Sequence, residues 1–97
     1  MFARVTFTTV QPSKFDEAIK LNRDSIMPAA KKLKGFKAFY GLSNRDTGKG
    51  ITISMWETEA DMKAAETSGF YREQLAKAAP LLAGPPTMEH YEVTAQG

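Results

Sequence analysis

Three stretches of this chain predict an α+β fold in the order βαββαβ, with a four-stranded antiparallel sheet. Leu33-Lys34-Gly35-Phe36 ends a helix at a glycine and begins an aromatic strand. Residues 36–43 and 50–56 read as two strands joined by Asn44-Arg45-Asp46-Thr47-Gly48-Lys49, with Asp46 and Gly48 carrying the turn chemistry. Thr58-Glu59-Ala60-Asp61 then opens a helix in capping-box style. One strand before this block and one after it complete the ferredoxin-like plan, and 97 residues suit a single domain spanning 1–97.

Residues 3–10 alternate, with Ala3, Val5 and Phe7 on one face and Arg4, Thr6 and Thr8 on the other, as a strand does. Ser13 reads as the N-cap of the first helix, with Asp16 and Glu17 facing the dipole in its first turn. Phe15, Ala18, Ile19, Asn22, Ile26, Ala29 or Ala30, and Leu33 recur at helical spacing, and only Asn22 breaks the apolar stripe. Pro28 lies inside this helix and removes one of its hydrogen bonds, which predicts a kink or break near residues 25–27. The second helix runs to about Ser68, is interrupted at Gly69, and resumes from Phe70 to Ala79 through Tyr71, Leu75, Ala78 and Ala79. Pro80 ends it, residues 81–86 connect, residues 87–93 form the last strand, and residues 94–97 fray.

Composition narrows the function. A hydrophobic fraction of 42% with 10% aromatics is that of a globular protein. The absence of cysteine excludes disulfides, thiolate metal sites and a cysteine nucleophile. MFARVTFTTV has no signal-peptide pattern, and no run approaches the roughly 18 apolar residues of a membrane span, so a cytoplasmic protein without a membrane partner is expected. Lys31, Lys32, Lys34 and Lys37 cluster where the first helix ends, which the helix dipole favours; the functional reading is an anion-binding patch. Lys34-Gly35-Phe36-Lys37-Ala38-Phe39-Tyr40 echoes an RNA-recognition motif but sits on the second strand rather than the third, and net charge is only +2, so no nucleic acid is expected. No nucleophile elbow, phosphate loop, dinucleotide fingerprint or paired-histidine spacing occurs, and neither a metal nor a cofactor is expected.

Helices in so short a βαββαβ chain cover one sheet face only. The more apolar parity set (Val5 and Phe7 with Ile51, Ile53 and Met55) is expected to pack on the helices, leaving Thr6, Thr8, Thr52, Ser54, Trp56 and Phe39 on the other face. A face carrying large aromatics is rarely left wet, so two sheets are expected to pack face to face in a twofold homodimer.

The segment GFKAFYGLSNRDTGKGITISMWETEADMKA and the closing Glu89-His90-Tyr91-Glu92-Val93 resemble the antibiotic biosynthesis monooxygenase-like (ABM) superfamily, the dimeric α/β-barrel proteins. The resemblance spans roughly residues 3–93. It implies a two-sheet barrel dimer and, in its oxygenase members, cofactor-independent monooxygenation of aromatic or quinol-like compounds. The chain departs from the family pattern at two histidines. The position about nine residues after the strand-end Trp56 is Ala65, and the second falls on Phe70. The haem-degrading branch also uses a helical histidine, and no predicted helix here carries one. The alternative is therefore a non-catalytic dimeric ligand-binding or interaction module.

Six residues are candidates for the site. His90, the sole histidine, can act as general base on a phenol or quinol, or be an ordinary strand residue. Trp56 can form the platform for a flat ligand or simply pack the core or the dimer. Tyr40 and Tyr71 can orient a substrate oxygen through their hydroxyls, or pack. Arg4, mid-strand, must find a partner if buried: an anionic ligand group, or Glu89 or Glu92 on the last strand. Asn22 either faces a pocket beside the sheet or is a satisfied buried amide.

Overall fold

The computed structural model describes residues 1–97. In chain order these are β1 (Phe2–Thr9), α1 (Phe15–Leu21), α2 (Met27–Ala30), β2 (Phe36–Asn44), β3 (Lys49–Trp56), α3 (Glu59–Thr67), α4 (Phe70–Ala78) and β4 (Thr87–Glu92). The strands form one antiparallel sheet ordered β2-β3-β1-β4, the ferredoxin-like arrangement the sequence predicts. Strand limits agree with the alternation pattern to within one residue, because turn residues bracket each run.

The helical region before β2 differs in detail. Pro12 opens a 3-10 turn (Pro12–Lys14) ahead of α1, so Ser13 lies inside that turn and makes no capping hydrogen bond. Between α1 and α2 the chain widens into a π-helical turn, Asn22–Ile26, closed by a hydrogen bond from the Met27 N–H to the Asn22 carbonyl. This turn is the break expected from Pro28: the proline has no N–H to donate, and the extra residue in the turn takes up the mismatch. In the β2–β3 turn the Asn44 Oδ1 accepts from the N–H groups of Asp46 and Thr47, at 3.0 and 3.3 Å. Asn44 thus does what was expected of Asp46, while Gly48 adopts φ +75° as the turn requires. Thr58 caps α3 as predicted, its Oγ1 accepting from the Asp61 N–H at 3.0 Å.

The two faces of the sheet are the reverse of those expected. Arg4, Thr6, Ser54 and Trp56 are buried on the helix side, where Arg4 bonds to α3 and Trp56 packs with Met62 and Ala65 of the same helix. Alternation then turns Val5, Phe7, Ile51, Ile53 and Met55 to the other face. Tyr40 and Leu42 share that face across β2 and are 54% and 48% exposed. Apolar content alone does not decide the faces of this sheet. A guanidinium that bonds to a helix outweighs two or three aliphatic side chains, because a buried charge must have partners whereas an apolar patch can be covered by other means.

Phe36 meets Trp56 edge-on, ring centroids 5.9 Å apart, and Leu33, Phe70 and Phe2 complete this end of the core. At the far end the connector before β4 is tied to the end of β1. Gln11 N–H donates to Leu81 O, Ala83 N–H to Thr9 O, and the Gln11 side-chain amide to the carbonyls of Pro80 and Leu82. Val10, Phe15 and Leu81 are buried there.

Two glycines with positive φ separate backbone strain from crowding. A Cβ on Gly35 (φ +80°) would lie 2.2 Å from Asp61 Oδ2 and 2.6 Å from Asp61 Cβ, whereas one on Gly69 (φ +89°) would meet nothing within 4 Å. Gly69→Ala is expected to cost about 1–2 kcal/mol, the left-handed backbone penalty alone. Gly35→Ala is expected to cost upward of roughly 2 kcal/mol, because the first turn of α3 must also shift. Urea unfolding of the two variants checks the order.

Candidate functional site

Between the helix side of the sheet and the helices lies a cavity of about 130 Å³ with a mostly hydrophobic wall. Strands β1 and β3 supply Arg4, Thr6, Ser54 and Trp56, α4 supplies Phe70, Tyr71, Gln74 and Leu75, and the α1–α2 region supplies Phe15, Ile19 and Asn22. Helical spacing explains the α4 set: Gln74 follows Phe70 by four residues and Tyr71 by three, so all three share one face.

Arg4 organises this wall. It is 3% exposed, its Nε donates to Glu66 Oε1 at 2.9 Å, and an Nη donates to the Met62 carbonyl at 2.8 Å. The guanidinium carbon stands 4.7 Å from the ring centre of Tyr71 and 5.6 Å from that of Trp56, within cation–π range of both. The Trp56 indole N–H donates to Ser54 Oγ at 3.0 Å, and the hydroxyls of Thr6 and Tyr71 are 3.2 Å apart. One buried acceptor stands apart from these pairings: Gln74 Oε1 has no hydrogen-bond partner, though the residue is only 6% exposed. Leaving such an atom unpaired costs about 1–3 kcal/mol.

Of the six predicted site residues, Arg4, Asn22, Trp56 and Tyr71 meet at this cavity. Tyr40 is on the opposite face. His90 is beside Arg4 in the sheet register, but its side chain is 39% exposed and lies outside the wall, with Nε2 2.5 Å from Glu66 Oε1. The partner of Arg4 is Glu66 on α3, not Glu89 or Glu92 on β4. Glu66 and Gln74 were missed. The signal for Gln74 was available, since it is a polar gap in the α4 stripe just as Asn22 is in the first helix. Glu66, one turn after the buried Met62, had a similar cue. At the two positions where the sequence resemblance implies a histidine, Ala65 is buried against Trp56 and Met62, and Phe70 lines the cavity. No three His, Asp or Glu side chains converge as metal ligands, and no helix is long and apolar enough to cross a membrane.

Burial pushes the Glu66 carboxyl up, but hydrogen bonds from His90 and Arg4, with the Arg4 charge, outweigh it and hold the group below its ordinary 4.5. A carboxyl depressed in the folded state contributes stability above its unfolded value and loses it as pH falls through the folded one. Wild-type stability is therefore expected to fall with acidification below about pH 4.5, more steeply than that of Glu66→Gln. Urea midpoints measured from pH 7 to pH 3 for both proteins check this.

No protein-family model matches the chain. Among curated relatives it is 31% identical to the uncharacterized protein Rv2557 of Mycobacterium tuberculosis over 98% of its own length and 42% of that protein. It is 32% identical to Rv2558 of the same organism, over 96% of this chain and 39% of that one. The chain thus spans about two-fifths of the length of these relatives. Among solved structures it superimposes on NE2512, a Nitrosomonas europaea protein of unknown function, with TM-score 0.82, 22% identity, and 99% and 91% of the two chains covered. An antibiotic biosynthesis monooxygenase superimposes with TM-score 0.76 at 14% identity, covering 98% of this chain and all of that one. The ActVA-Orf6 monooxygenase of Streptomyces coelicolor, solved with nanaomycin D, gives TM-score 0.71 at 23% identity over 99% and 88%. The chain shares its fold with these antibiotic biosynthesis monooxygenases.

Proposed function

We propose that this chain takes a small aromatic or quinol-like molecule into the cavity between sheet and helices, and that it does so as a homodimer joined through its open sheet face. The observation that carries the ligand reading is the wall itself: apolar over most of its area, with Trp56 and Tyr71 beside a buried guanidinium. The volume sets the size. About 130 Å³ is close to the roughly 150 Å³ of a dry apolar cavity that holds benzene, so one ring fits. The dimer reading rests on Val5, Phe7, Ile53, Tyr40 and Leu42, which share one uncovered face.

The reaction proposed for this site is monooxygenation without metal or flavin. A phenol loses its proton to water, and the phenolate gives up electrons to O₂. One oxygen atom enters the ring, the other leaves as water, and the product is a quinone. All four electrons come from the substrate. Two hydrogen bonds engage Arg4, and the remaining donors of its five can stabilise the phenolate. His90 is no base in this scheme, because its ring is not on the wall.

A second reading, ligand binding without turnover, is favoured by Ala65, packed in the core where the resemblance to the oxygenases implied a histidine. Oxygen uptake with phenol separates the two. Catalysis predicts uptake that rises with pH as phenol ionises and survives His90→Ala, while a binding module consumes no oxygen. Native mass spectrometry tests the assembly: twice the chain mass of 10.7 kDa is expected, reverting to one chain in Ile53→Lys.

A further inference from the structure

We propose that Gln74 is the specificity-determining residue of the cavity, accepting a hydrogen bond from a hydroxyl on a single-ring ligand. This rests on the ligand-binding reading above and adds to it the chemical group recognised and the atom that recognises it.

Three observations carry the assignment. Gln74 belongs to the cavity wall, it is 6% exposed, and its Oε1 is a buried acceptor without a partner. Each of the other buried polar residues of the wall has at least one partner. Arg4 holds Glu66 and the Met62 carbonyl, Ser54 accepts from Trp56, and Thr6 shares its hydroxyl with Tyr71. Asn22 and Thr52 also line the cavity but keep partial exposure, and Ser43 is exposed, so water can serve them. Gln74 Oε1 is therefore the buried acceptor of the wall that has no partner within the protein.

The chemistry of that partner follows. An amide oxygen accepts and does not donate, so the ligand must bring an O–H or N–H. The volume admits one ring, and the apolar wall disfavours a charged amine. A neutral phenolic hydroxyl meets both conditions.

Phenol and toluene, alike in shape but differing in O–H against CH₃, are the probes. Titration calorimetry on the intact protein is expected to show phenol binding about tenfold more tightly than toluene, and Gln74→Leu is expected to erase that preference while retaining toluene. Gln74→Leu is also expected to melt no lower than wild type without ligand, since it removes an unpaired buried acceptor. Equal affinity of wild type for the two probes, or a phenol preference that persists in Gln74→Leu, overturns the role of Gln74 and leaves the cavity reading standing. Binding of neither probe to wild type overturns the cavity reading and this assignment with it. Gln74→Met, which keeps the side-chain length and removes the amide, carries the same comparison should Gln74→Leu not fold.

Discussion

The structure depends on where one charge is buried. Arg4 sits in a central strand with almost no exposure, and its positive charge is tolerable only because Glu66 and the Met62 carbonyl reach it from α3. That requirement fixes which face of β1 meets the helices, and pairing in register then fixes β3 and β4. It also fixes the angle at which α3 lies on the sheet, since two contacts one helical turn apart, at positions 62 and 66, converge on one guanidinium. Trp56 and Tyr71 gather around the same group. The wall of the cavity is thus a consequence of burying Arg4.

The sheet consequently has polar residues inside and apolar residues outside, the opposite of an ordinary half-buried sheet. Small hydroxylated side chains on the inner face, Thr6, Thr8, Thr52 and Ser54, leave room that leucines or isoleucines would fill, and the cavity is that room. The aliphatic side chains displaced from the inner face are on the outer one, where they need a cover. A single exchange of faces thus produces both the cavity and the apolar outer surface.

Much of the fold was legible, and the reasons are local. The strands showed because alternation and bracketing turn residues act over a few positions, and Gly35, Thr58 and Gly69 mark helix ends by backbone geometry that few residues satisfy. The break at Pro28 was legible for the same reason. Ser13 misled because Pro12 began a tighter turn first, and Asp46 because Asn44 reached the same N–H groups earlier in the turn. The site was legible in part. Arg4, Asn22, Trp56 and Tyr71 stood out as residue types that burial makes conspicuous. The Arg4–Glu66 pair links positions 62 apart in sequence, and no local pattern reveals such a pairing. His90 drew attention as the sole histidine, but the register sets it at the margin, against Glu66.

The π-helical turn has a meaning for how this chain can change. Asn22 opens that turn, and its Nδ2 lies 2.8 Å from where a Cβ on Gly41 would stand. The wide turn sets Asn22 beside β2, and a side chain at position 41 would require the Asn22 amide, the far end of a flexible side chain, to swing away. Positions 22 and 41, in a helical segment and a strand, therefore meet at one place, and a longer side chain at 41 would be felt first by the amide at the mouth of the π-helical turn rather than by the sheet.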